Sequence, residues 1–170
     1  MSDTPRPWPI VYVLGLALGL AWGCGSRDDE NPGEVLECSG TCTCDPDTRT
    51  CKCSGGTDCV VDGGEDIRFE CDGNARCDLE CGNFCHVVCV GTTGCDARIG
   101  DGSTAECPGT ASCDFVCEGS CSVSCTGTAR CTLDCPPEGD CEITGCGPNV
   151  TDCGDGVLAC RTSCPPPPEE

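Results

Sequence analysis

From Val61 to Leu133 the chain is written in short alternating runs. Cysteine or an apolar residue occupies the first, third and fifth places, except at Gly63 and Ser103, and the residues between are mostly polar or charged. Examples are Cys77-Asp-Leu-Glu-Cys81, Cys85-His-Val-Val-Cys89, Cys113-Asp-Phe-Val-Cys117 and Cys121-Ser-Val-Ser-Cys125. The nine central residues, Val61, Phe69, Leu79, Val87, Ala97, Ala105, Phe115, Val123 and Leu133, are all apolar. A period of two is that of a half-buried β-strand, so each run predicts a five-residue strand with one inward face. The strands are joined alternately by five-residue turns (DGNAR, VGTTG, PGTAS, TGTAR) and three-residue turns (GED, GNF, GDG, EGS). The glycine that recurs in the longer turn predicts a positive φ there.

Two strands and two turns make an 18-residue unit. Cys53, Cys71, Cys89, Cys107 and Cys125 form one column at that spacing; Cys59, Cys77, Cys95, Cys113 and Cys131 form another. An antiparallel meander would use the same strands but gives no reason for alternate strands to match. A β-solenoid does, because equivalent residues of successive rungs stack in ladders. The expected fold is therefore all-β, a disulfide-stapled β-solenoid of about five rungs and on the order of 24 Å long, with cysteine-rich caps at both ends. In architecture the periodic body resembles the cysteine-stapled solenoids of insect antifreeze proteins. Their flat Thr-x-Thr array is replaced here by outward pairs such as Arg68/Glu70, His86/Val88 and Ser122/Ser124.

The gaps in the cysteine pattern predict wiring. Across the three-residue turns the flanking pairs are Gly63/Ile67, Cys81/Cys85, Ile99/Ser103 and Cys117/Cys121: both members are cysteine or neither is. Bonding across the turn predicts that joint loss, whereas ladder pairing between rungs does not. The expected bridges are Cys53–Cys59, Cys71–Cys77, Cys81–Cys85, Cys89–Cys95, Cys107–Cys113, Cys117–Cys121, Cys125–Cys131 and Cys135–Cys141. Four cysteines remain at each end (Cys38, Cys42, Cys44, Cys51 and Cys146, Cys153, Cys160, Cys164), and each set can close internally.

Outside the body the organisation is simpler. Residues 1–23 read as an export signal, 24–37 as an acidic flexible tether, and 38–52 as an N-terminal cysteine-rich cap. Residues 53–135 are the solenoid, 136–164 a C-terminal cap, and 165–170 (PPPPEE) a polyproline tail. The apolar run from Ile10 to Ala21 is 12 residues long, short of the roughly 20 that span a bilayer. It ends Leu20-Ala21-Trp22-Gly23-Cys24, which resembles the lipobox of bacterial lipoproteins, with Ala21 where that family usually has leucine. The resemblance implies cleavage before Cys24, lipidation of Cys24 and, because Gly25 rather than aspartate follows, sorting to the outer membrane of a Gram-negative envelope. Parity agrees. The chain has 25 cysteines, and assigning Cys24 to a lipid leaves an even number to pair.

Composition narrows the function classes. Both tryptophans and the tyrosine fall in the export segment, so the remainder lacks a conventional core and needs covalent staples. Removing Asp3 and Arg6 from totals of 29 acidic and 9 basic residues leaves 28 and 8, still a net −20. That balance argues against nucleic acid as a partner. His86 is the one histidine, and alternation puts it on an outward face without a specified nucleophile. Cys-x-x-Cys does not occur. The Cys42/Cys44 and Cys51/Cys53 pairs resemble metallothionein spacing, which would require a reduced compartment. Asp78, Asp96 and Asp114 share one outward column and form the candidate Ca²⁺ site, although the GGxGxD repeat of calcium β-rolls is missing. The expectation is a non-enzymatic, lipid-anchored envelope protein with a structural, adhesive or protein-docking role; the alternative is a divalent-cation module on the aspartate column.

Overall fold

The computed structural model describes residues 37–40, 42–56, 58–91 and 94–166. The export segment, Cys24, the tether up to residue 36 and the last four residues of the tail lie outside the described residues. The strands are β1 (Glu37–Gly40), β2 (Cys42–Asp45), β3 (Thr50–Gly55), β4 (Asp58–Gly63) and β5 (Arg68–Gly73). Next come β6 (Arg76–Cys81), β7 (His86–Cys89), β8 (Gly94–Ile99), β9 (Ser103–Cys107) and β10 (Ser112–Cys117). The last are β11 (Cys121–Cys125), β12 (Arg130–Asp134), β13 (Glu142–Thr144), β14 (Val150–Gly154) and β15 (Val157–Cys160).

The fold is an all-β solenoid. Alternate strands go to opposite sheets: β4, β6, β8, β10 and β12 stack in one, and β3, β5, β7, β9, β11 and β13 in the other. Pairing inside both stacks is parallel, and from β3 to β12 it has an 18-residue step, as in Cys77↔Cys95↔Cys113↔Cys131. Inward residues of both sheets form one core, and all nine central apolar residues are buried. Cysteine columns flank that centre. The two ends of a long turn approach to a Cα–Cα distance of 6.5 Å at Cys71–Cys77 and 6.6 Å at Cys107–Cys113. Facing sheets ordinarily pack about 10 Å apart, so at its rims the solenoid is too narrow for opposed branched side chains, and cystine fills it. Phe115 stacks on Ala97, and Ala105 holds the central place of the preceding strand in the facing sheet.

Both short turns that lack a bridge are filled differently. Ile67 and Ile99 are buried at half-cystine positions, each with a small partner, Gly63 or Ser103. Ser103 is the one buried polar residue among those described, and its hydroxyl accepts the Cys85 backbone N–H at 3.0 Å. Thus the joint loss of cysteine is repaired by one β-branched apolar side chain and one small residue.

The turns also stack. Asp66, Phe84 and Gly102 occupy one column with φ of 56°, 61° and 70°. Their amides donate to Asn83, Asp101 and Ser120 carbonyls of the next rung at 2.9, 2.9 and 2.8 Å. The left-handed conformation of Phe84 therefore serves the ladder. In the long turn, Gly91 has φ +98°, and a Cβ there would stand 2.7 Å from the Gly73 carbonyl oxygen. Gly91→Ala combines a positive-φ penalty with a backbone clash and should cost about 2 kcal/mol or more. Denaturant midpoints under non-reducing conditions check this; an unchanged midpoint contradicts it.

The ends reverse direction. β1 pairs antiparallel with β4, and β2 with β3, so both N-terminal sheet edges are covered. At the other end β15 runs antiparallel to β12, and β14 to β15. Covering an edge this way removes a template for unspecific strand pairing. The stack extends past the periodic boundaries expected for it. β3 begins at Thr50 and places Cys51 in the core beside Phe69. β13 continues the stack from β11 with a step of 20, as in Val123↔Ile143. The turn at residues 136–140 stands where earlier rungs have three residues, so Cys135–Cys141 belongs to the short-turn column.

Candidate functional site

The structure joins each of the eight cysteine pairs expected from the turns. At the caps it joins Cys44–Cys51, Cys146–Cys160 and Cys153–Cys164. Cys59 is also within bonding reach of Cys42, whose sulfur lies 2.8 Å from that of Cys53. A sulfur takes one disulfide partner, so Cys53–Cys59 and Cys42–Cys59 are alternative pairings within one buried cluster. Two similar triplets occur, Cys107/Cys113/Cys131 and Cys125/Cys146/Cys160, each with sulfurs within 4.8 Å of one another. Three thiolates at such spacing could hold a soft metal, but here the sulfurs are consumed as cystine.

The aspartate column is in register, Asp78↔Asp96↔Asp114, on the outward face of its sheet. Register does not make the carboxylates converge. Asp96 is held by the Arg76 guanidinium at 3.2 Å, and Asp114 accepts a short hydrogen bond from the Thr132 hydroxyl. Among the described residues, the groups of three potential ligands within 4.8 Å are the cysteine triplets alone. The column's charge is thus partly balanced by neighbours that alternation in a single strand does not reveal.

On the other face, Lys52 and Arg68 both reach Glu70 at 2.8 Å. Their hydrogen bonds hold the Glu70 carboxyl below the usual carboxylate range. A depressed carboxylate stabilises the fold above its unfolded pKa, and that contribution fades as pH falls through the lowered value. The effect is small because all three groups meet solvent. His86 Nδ1 is 2.8 Å from the Thr104 hydroxyl, and its Nε2 is 3.9 Å from Glu106. Hydroxyl, imidazole and carboxylate are thereby aligned, but across an open sheet face. Neither groove described below includes them.

Those two grooves lie at the ends. One, of about 430 Å³, is lined by Thr43, Asp45, Thr48, Lys52, Arg68 and Glu70 among others. The second, of about 650 Å³, is at the C-terminal cap and is lined by Arg130, Pro148, Asn149, Thr151, Arg161, Thr162 and Ser163. Periodicity gave no hint of it, because Arg161 comes from the cap and Arg130 from the last long turn and β12. The buried turn residues Ala75, Ala111 and Ala129 were also missed by strand alternation. Their recurrence at 18 or 36 residues was the available signal.

Comparison with protein-family models, with curated proteins and with solved structures finds no match to this chain.

Proposed function

We propose that the chain is a non-enzymatic, lipid-anchored protein of a Gram-negative cell envelope, exported by residues 1–23 and acylated at Cys24. The observation that carries this reading is the wiring. Rung after rung closed by cystine calls for an oxidising compartment, and the cysteine left over by parity is the one in the lipobox-like segment. Several acyl chains on Cys24 would anchor firmly where one alone binds only marginally. The acidic tether would then hold the solenoid off an anionic surface. Its work is structural, adhesive or docking: a stiff body whose ladders and bridges leave few segments for a protease to open.

Expression with the native leader in a Gram-negative host, with a clickable palmitate analogue, should label the protein in the outer-membrane fraction. Cys24→Ser should abolish the label and release the protein. Label retained by that variant, or none on the wild type, overturns the anchor. Capture of a saturable partner from envelope fractions would separate docking from a purely structural role.

A further inference from the structure

Seven of the described residues are cationic, and their partners divide them sharply. Arg49, Lys52, Arg68, Arg76 and Arg98 each pair with a carboxylate. The other two, Arg130 and Arg161, have no carboxylate partner among the described residues, and both line the groove at the C-terminal cap. Among the described residues, no aspartate or glutamate lines it. In a chain with 29 acidic residues, an arginine pair left uncompensated in one groove calls for an explanation.

Register makes the pair closer than sequence suggests. Cys131 and Cys160 are partners across the antiparallel β12–β15 ladder. Arg130 precedes the first, and Arg161 follows the second just past the end of β15, so the two cations leave the backbone beside the same end of the ladder. Arg161 is also locked in place. Its Nη1 donates to the Cys125 and Ala129 carbonyls at 3.3 Å, and its Nη2 to the Gly145 carbonyl at 2.8 Å. Neutral carbonyls orient the guanidinium without cancelling its charge, and its five N–H groups are not exhausted by them. By contrast, the Arg130 side chain faces the groove without a hydrogen bond to any described residue.

We propose that this groove is a binding site for the oxyanion of an acidic sugar. A carboxylate or sulfate would sit between the two guanidinium groups, the geometry in which arginine holds oxyanions best. The hydroxyls of Thr151, Thr162 and Ser163 and the side chain of Asn149 would meet the hydroxylated body. The acidic faces elsewhere oppose anions at long range, but that field is screened beyond about 8 Å at physiological salt, and the arginine pair acts at contact.

The test is calorimetric titration of the processed full chain, in non-ionic detergent at about 0.15 M salt, with glucuronate, sulfate and glucose. The expected result is saturable binding of glucuronate, weaker competition by sulfate, and none by glucose. Arg130→Gln should lower glucuronate affinity about tenfold or more. Because Arg130 holds no other group, that variant should fold and melt no lower than wild type without anion. Glucuronate should raise the melting temperature of the wild type and leave the variant unmoved. Absence of saturable anion binding, or equal affinity in the variant, overturns the site. Equal affinity for sulfate and glucuronate overturns the saccharide assignment.

Discussion

Reduction of this protein by excess dithiol at neutral pH should abolish its β-sheet circular dichroism at room temperature, without denaturant. A bridge closing a loop of this size contributes about 2 kcal/mol in the chain-entropy treatment. The six rung bridges from Cys71–Cys77 to Cys125–Cys131 then contribute on the order of 12 kcal/mol. Whole domains are typically stable by about 5–15 kcal/mol. The apolar centre cannot replace that contribution, since its largest members are Phe69 and Phe115 and two of its nine residues are alanine. Reduction also converts buried cystine to pairs of thiols that need more room than the narrow rims provide. A reduced protein that kept its sheet signal and a cooperative melt would show that the stacked ladders suffice alone.

What the sequence made legible was most of what repeats, the turn alanines Ala75, Ala111 and Ala129 excepted. Alternation identified the inward residues from Val61 to Leu133, and the 18-residue step distinguished a solenoid from a meander. The loss of cysteine at 63/67 and at 99/103 indicated which sulfurs meet. The remainder escaped because it depends on relations that a period does not encode. Direction is one: nothing in Cys38 or Val157 states that β1 and β15 run antiparallel to the stack they cover. Turn length is another. Residues 136–140 lengthen a turn from three to five, which hid the fact that Ile143 continues the core. Cross-rung neighbours are a third. Asp96 read alone is a member of an acidic column, whereas in space it belongs to Arg76, 20 residues away. The groove between Arg130 and Arg161 combines the first and third kinds.

The distinction between a missing bridge and a half-missing one predicts the second large effect. Cys117 stacks on Ile99, and Cys121 on Ser103. The double variant Cys117→Ile, Cys121→Ser therefore extends by one rung a solution the chain already uses. It loses about 2 kcal/mol of loop-closure stabilisation and regains part of it by burying an isoleucine. Serine at 121 can accept the Ser103 backbone N–H as Ser103 accepts that of Cys85. The single variant Cys117→Ser has no such compensation. It loses the same bridge and puts a hydroxyl at a site only 4% exposed, a burial that costs about 1–3 kcal/mol when unpaired. It also leaves Cys121 as a thiol in a molecule crowded with disulfides, where a thiolate can attack a neighbour and scramble the pairing. Chemical denaturation without reductant should rank wild type first, the double variant next and the single variant last, with the last two separated by about 1–3 kcal/mol. Thiol titration and non-reducing peptide maps should find the remaining pairing unchanged in the double variant and several mixed species in the single one. If the single variant proves as stable as the double, cysteine is not lost in pairs for structural reasons, and bonding across the turn no longer explains the gaps at 63/67 and 99/103.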